Sequence, residues 1–303
     1  MYKYKTKSYN NYTTEQRKEY QSNIQNKMKE LEDMVNSTET NEQYLTWLSV
    51  ISNFHRYSFM NKIMIFTQYP SARYVGSYGL WKKIGNPVAS GAKGLAIFAP
   101  ITKPMMLEEI DEATHESKTK KVLVPVGYKM TYVFDISQTV DPTFDVLTFG
   151  SRITDVTEEA TKLYETFIDK VQQYGLIVSE VEIFGKSNGS TNGKEINIRI
   201  DNNTNEKLST IIHELAHCIL NHHTLIKSGS ITTQEAELEA ESCAYVILTQ
   251  LGQPTKSVEY LKTWNKDGSK SLMDILSRVS KGVDEINSIL GLKDEQTNNE
   301  SEE

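Results

Sequence analysis

His213-Glu214-Leu215-Ala216-His217 spells HExxH within an apolar segment that includes Leu208, Ile211, Ile212, Ile219 and Leu220. Four-residue spacing puts both imidazoles on one helical face. There they can offer two nitrogens to a zinc ion, Zn2+, while Glu214 is placed to take a proton from water at that ion. A catalytic zinc needs a third protein ligand and an open position. The segment from about 233 to 250 offers Glu235, Glu237, Glu239 and Glu241. Glu239 shares a helical face with Ala236, Cys243 and Val246, the side expected to be buried, and is the first candidate. Glu241 and His223 are the alternatives. His223 completes an HExxHxxxxxH spacing, but Leu220 stands where that arrangement needs a glycine to turn the chain. Cys218 follows His217 directly and points off the metal face, so it reads as a structural thiol. His222 and His55 take the same structural default.

A second chemistry lies in the first half. Residues 1–140 carry 18 Lys/Arg against 13 Asp/Glu, a net +5; residues 141–303 carry 15 against 27, a net −12; the sum is −7. Tyr44–Leu107 is a run of 64 residues with no acid, seven cations and 11 aromatic residues. Single-stranded DNA without sequence readout asks for cations that track phosphates and rings on which bases stack. Arg56, Tyr57, Lys62, Arg73, Trp81, Lys82, Lys83 and Lys93 are the candidate DNA-binding residues; Lys82 and Lys83 flank Trp81, and Arg56 adjoins Tyr57. Trp47, Phe54, Phe66 and Phe98 lie in apolar patterns and are expected in the core.

The elements that must position these groups follow from periodicity and breakers. Helices are expected over 13–35, 41–53 and 58–68, then a strand near Tyr74, a short helix carrying Trp81 and a strand over 95–99. Residues 103–121 read as a charged loop, with the partner strand at 128–134. Residues 141–150 read as a linker. A helix opening on the capping-box pair Asp155 and Glu158 runs to Tyr174. A strand over 177–184, a Ser/Asn/Gly turn over 185–193 and an alternating strand at Ile196, Ile198 and Ile200 lead to helices over 205–223, 233–250 and 269–290. The expected architecture is α+β in two domains: 1–150 for DNA, 151–292 for the metal, and an acidic disordered tail over 293–303. Two cysteines are too few for a disulfide framework. No apolar run reaches membrane length and the first residues carry no secretory h-region, so a cytoplasmic protein with no membrane partner is expected.

Glu237-Leu238-Glu239-Ala240-Glu241-Ser242-Cys243-Ala244-Tyr245 resembles the ExEAESxAY helix of ArdC-type antirestriction proteins and their LtrC-like relatives on conjugative elements. In the first half Tyr57-Ser58-x-x-Asn61, Gln68-x-Pro70-x-Ala72, Trp81-Lys82-Lys83-Ile84-Gly85-x-Pro87-Val88, Gly91-x-Lys93-Gly94 and Val133-Phe134-Asp135-Ile136-Ser137-Gln138-Thr139 are similar to the ArdC N-terminal domain. The resemblance covers roughly residues 40–260. It implies an N-terminal single-stranded DNA-binding domain, a C-terminal zincin domain and a mobile-element protein that shields incoming DNA from restriction. The second half alone resembles the ImmA/IrrE metallopeptidases, which implies Glu239 as third ligand beside His213 and His217, Glu214 as the catalytic base, and a protein or peptide substrate. The alternative is a regulatory metalloprotease that cleaves a repressor or a DNA-bound protein.

Overall fold

The structure, a computed structural model, describes residues 13–54, 57–110, 117–144, 160–253 and 271–291. Helix starts follow side-chain caps. Thr13 and Gln16 box the start of α1 (Thr14–Asn36), Thr40 and Gln43 that of α2 (Asn41–Asn53), and Ser58 accepts from the Asn61 amide at the start of α3 (Phe59–Gln68). These reciprocal bonds satisfy backbone donors that the first helical turn leaves unpaired. β1 (Val75–Ser77) runs into α4 (Tyr78–Lys83), and β2 (Leu95–Ile110) and β3 (Ser117–Asp135) form an antiparallel hairpin. The sheet order is β1-β3-β2.

The ladder continues through 103–110 and 117–121, where a charged loop was expected, with Met105 opposite Val122 and Pro104 opposite Leu123. Around Met105 and Met106 this outer ribbon has solvent on both sides, since these neighbours point to opposite faces and both are exposed. A strand with no buried face carries no alternation to read.

Side-chain amides close the open edges of this sheet. Asn61 Nδ2 donates to the Phe98 carbonyl at 2.8 Å while the Phe98 amide donates to Asn61 Oδ1 at 2.9 Å. Gln68 repeats the pairing on Ala96, at 2.8 and 2.9 Å, and Gln21 of α1 repeats it on Tyr128. An unpaired edge is a template for association, and here helices supply a strand's worth of partners. Asp135 accepts from the amides of Arg73, Tyr74 and Ser137, and Gln138 accepts from the Asp135 amide and donates to the Lys93 carbonyl. The polar residues of the first-half motifs are therefore backbone clamps.

In the second half α5 (Ala160–Gln173) precedes β4 (Ile177–Val181), β5 (Gly189–Thr191) and β6 (Glu195–Arg199). β4 pairs parallel with β6, and β5 pairs antiparallel on the other side of β6. β5 is the strand that the expected turn over 185–193 conceals: three residues with a glycine are too short for a periodic signal. Then come α6 (Thr204–Ile219), α7 (His222–Lys227), α8 (Thr233–Gln250) and α9 (Leu272–Ile289). The helix expected to reach 223 ends at the cap residue Leu220, and Asn221 takes a left-handed φ of 54° before α7. Asparagine tolerates that conformation better than most side chains. α6 packs against α5, α8, α9 and the second sheet. The Asp155/Glu158 helix start, the later part of the linker and the acidic tail lie outside the described residues.

The chain is α+β, and its two small sheets share one helical layer. Tyr44 of α2 meets Ser242 of α8 at 2.7 Å, the Gln250 side chain donates to the Ser52 carbonyl, and one apolar cluster extends from Ile24 to Leu290. Asn61→Ala would strip both partners from buried Phe98 backbone groups. We expect it to lower unfolding stability by about 1–3 kcal/mol, read as a shifted denaturant midpoint; an unmoved midpoint would show that the edge does not need the amide.

Candidate functional site

α6 is wedged into the core by Leu208, Ile211, Ile212, Leu215 and Ala216, all fully or almost fully buried. That burial fixes the remaining face, on which His213, Glu214 and His217 stand. The Nε2 atoms of His213 and His217 are 3.0 Å apart. Glu237 of α8 faces them, with Oε2 3.4 Å from His213 Nε2 and Oε1 3.6 Å from His217 Nε2. These three residues are the group of His, Cys, Asp and Glu among the described residues whose ligand atoms converge as for a metal ion. Ligands about 2.0–2.1 Å from a tetrahedral zinc stand roughly 3.3 Å from one another, so the triangle has the right size. Two imidazoles and a carboxylate are also a donor set that zinc accepts.

The electrostatics ask for a cation at this place. Burial disfavours the imidazolium of His213, yet Glu237 and Glu241 outweigh it and push His213 up to about 10. Burial and the charge of His213 lower His217 to about 4, which leaves a neutral ring with a free lone pair. Glu237 is held below the usual carboxylate range, chiefly by His213. Burial pushes Glu214 up to about 7, with Glu237 adding to the rise and His213 opposing it. A carboxyl poised near neutrality can both take and return a proton.

Two features hold Glu214 in its place. Its residue is 8% exposed, and the backbone of β5 closes over it: a Cβ on Gly189 would run into Thr210 Cγ2 and stand 2.9 Å from the Asn197 carbonyl and 3.1 Å from Glu214 Oε1. Only glycine lets the edge strand approach the helix so closely. Thr191 of the same strand contacts Cys218 Sγ at 3.2 Å, so Cys218 packs beneath β5 and away from the ligand triangle.

The structure separates the candidates for the third ligand. Glu239 is fully buried, but its carboxylate is taken by Arg278 Nε at 2.8 and 2.9 Å and by His222 Nε2 at 2.9 Å. Glu237, two residues earlier on another face of α8, meets the histidines instead. Glu237 is partly exposed, whereas the helix pattern singles out the fully buried Glu239. Glu241 stands 3.7 Å from His213 Nδ1, on the outer side of that ring, and His223 is exposed and outside the cluster.

The DNA-binding expectation also divides. Lys62 is fully buried: Nζ donates to Ser280 Oγ at 2.9 Å and lies 3.7 Å from Asp284 Oδ1. Trp81 is fully buried and its indole N–H donates to the Phe134 carbonyl. Neither offers a surface to a nucleic acid, because the run's lack of acids cannot distinguish a core lysine from a solvated one. Tyr57 donates its hydroxyl proton to the Val75 carbonyl. Arg56 and His55 lie outside the described residues. Arg73, Lys82, Lys83 and Lys93 are exposed. The accessible rings are ones that were not singled out. Tyr78 is 57% exposed and stacks edge-on to Phe134, with centroids 6.3 Å apart, and Tyr132 is 46% exposed. Gly94 joins them: a Cβ there would meet Tyr132 Cβ at 2.8 Å and the Phe134 ring at 3.1 Å. Tyr78, Phe134 and Tyr132 thus form one surface, with Lys93 adjoining Gly94 and Lys82 and Lys83 on the same short helix as Tyr78.

Residues 14–134 match the family model of the N-terminal domain of anti-restriction factor ArdC. An uncharacterized Bacillus anthracis protein, pXO2-81, is 26% identical over 324 aligned positions, which cover 93% of this chain and 54% of the relative. The chain thus spans about half the length of that curated relative. Among solved structures, the metal-free crystal structure of antirestriction protein ArdC from the R388 plasmid shares 17% identity, covering 76% of this chain and 84% of that one, with a TM-score of 0.42. Its Mn(II)-bound structure shares 16%, covering 80% and 95%, with a TM-score of 0.38. Among the described residues no helix is long and apolar enough to cross a membrane.

Glu237→Ala is expected to weaken zinc uptake at least tenfold, measured by chelator competition, whereas Glu241→Ala should change it far less. The reverse order would move the third ligand to Glu241.

Proposed function

We propose, on the match of residues 14–134 to the family model of the ArdC N-terminal domain, that the chain is an antirestriction protein of a mobile element. In this reading it binds single-stranded DNA through its first half and carries a zinc metallopeptidase-like centre in its second. The family match is the observation that carries the proposal. The exposed tyrosines and cations support the nucleic-acid half. Tyr78 and Tyr132 offer faces for bases, at roughly 1–3 kcal/mol per stacked base, and Arg73, Lys82, Lys83 and Lys93 offer phosphate contacts. Nothing about this arrangement reads base edges, which suits a protein that must coat entering DNA of any sequence.

The ligand triangle supports the second half. Zinc held by His213, His217 and Glu237 would supply Lewis acidity toward water and a peptide carbonyl. Glu214, whose carboxyl lies near neutrality, would be the group that accepts a proton from water and returns it to the leaving amine. Glu214 also favours a second reading, a regulatory protease brought to a DNA-bound protein by the first half, since a purely structural zinc has no use for a base beside it.

Binding should be tighter for single strands than for duplex and should fall steeply between 50 and 200 mM salt, as counterion release requires. Lys82→Glu with Lys83→Glu should lose at least tenfold in affinity in a fluorescence-anisotropy titration; equal affinity, or no salt slope, would sink the proposed face.

Glu214→Gln separates the two readings. The amide keeps the shape of the side chain but cannot accept a proton, so any peptide hydrolysis should vanish while zinc content and DNA affinity persist. In a DNA-transfer assay under restriction, we expect this variant to protect normally. Lost protection with intact zinc and DNA binding would favour the regulatory protease.

A further inference from the structure

Behind the ligand triangle runs a second line of contacts that crosses four helices. His217 Nδ1 lies 2.8 Å from His222 Nδ1. His222 Nε2 lies 2.9 Å from Glu239 Oε2, and Glu239 is gripped by Arg278 Nε at 2.8 and 2.9 Å. Arg278 is itself anchored, its Nη2 donating to the Leu220 carbonyl at 2.9 Å. His222 is 1% exposed and Glu239 0%.

We infer that Arg278, Glu239 and His222 are a positioning relay that fixes the tautomer of His217 and keeps its Nε2 lone pair aimed into the ligand triangle. The inference rests on the metal-centre reading above and deepens it.

The direction of each hydrogen bond follows from chemistry. A carboxylate paired with a guanidinium is an acceptor only, so His222 Nε2–H must donate to Glu239. With one proton on each ring, His222 Nδ1 is then an acceptor and His217 Nδ1–H must donate to it. His217 is left with its lone pair on Nε2, the atom 3.0 Å from His213 Nε2. Ligating histidines commonly give their second nitrogen to a carboxylate or carbonyl, and loss of such a partner costs 10–100-fold in metal affinity. Here a histidine is inserted between ligand and carboxylate. The left-handed Asn221 makes this possible, since it turns the chain after α6 and returns His222 to within reach of His217, one turn back on that helix.

The test uses the full chain. In wild-type protein labelled with 15N at histidine, long-range 1H–15N correlation should show His217 protonated at Nδ1 and His222 at Nε2, with and without zinc. His222→Phe keeps a ring and removes both hydrogen bonds, and should weaken zinc binding 10–100-fold in chelator competition while single-stranded DNA affinity is unchanged. His222→Gln, whose amide can accept and donate, should recover part of the loss. Zinc affinity in His222→Phe within threefold of wild type, or His217 protonated at Nε2 in the zinc-free chain, overturns the relay. If His222→Phe does not fold, the wild-type tautomers decide. A wild-type chain that takes up no zinc overturns the metal-centre reading, and the tautomer pattern then judges the relay by itself.

Discussion

A carboxyl group with no exposed surface needs cations and donors brought to its oxygens, and Glu239 is such a group at the centre of the second half. α9 contributes Arg278, α7 contributes His222, and the end of α6 contributes the Leu220 carbonyl that steadies the guanidinium. Four helices must therefore meet at one point in a single relative arrangement. Removal of one partner from a buried pair of this kind typically costs about 3–5 kcal/mol, a large share of a domain's stability. The ligand face of α6 inherits that rigidity, because the helix that carries His213 and His217 is the one whose end the network pins.

The two acidic faces of α8 divide the work. Glu237 and Glu241 lie one turn apart, on a partly exposed flank that looks across to His213 and His217, while Glu239 looks into the protein. Carboxylates on the first flank raise His213 and can exchange their partner proton for a metal ion; the buried one cannot, because every donor around it is already committed. The distinction is one of solvent access. Glu237 and Glu241 keep part of their surface, whereas the small strand β5, drawn close by Gly189, covers Glu214.

Much of this was legible in the residues. HExxH and the apolar spacing locate most of the helices to within a few residues, because each is a local signal. What the sequence hid were features without local period. The outer part of the β2–β3 ribbon, where Met105, Met106 and Leu123 are exposed, has no buried face to alternate against, and β5 is three residues long. A helical wheel points to Glu239 because it finds the buried side of α8, whereas the carboxylate that faces His213 and His217 is that of Glu237, on another side. His222 is buried, as a structural histidine should be, but its contacts with His217 and Glu239 depend on Asn221 adopting φ 54°, which no pattern announces. Composition alone groups Lys62 and Trp81 with the exposed cations, although both are buried and the exposed rings are those of Tyr78 and Tyr132.

The same helix that holds Arg278 also receives Lys62. From α3, this lysine reaches past the Ile51 carbonyl at 3.5 Å to Ser280 and Asp284 of α9. A fully buried ammonium is as demanding as a buried carboxylate, so the first half is tied to α9 by a constraint of the same kind that ties α9 to the metal-facing helices. Tyr44 against Ser242 repeats the link through α8, two residues on from Glu239's neighbour Ala240. The orientation of the basic, aromatic face and the geometry of the ligand triangle are thus set by shared elements. A substitution at Lys62 acts on packing between the halves first, and any loss of DNA affinity it produces would come through that displaced packing rather than through a missing phosphate contact.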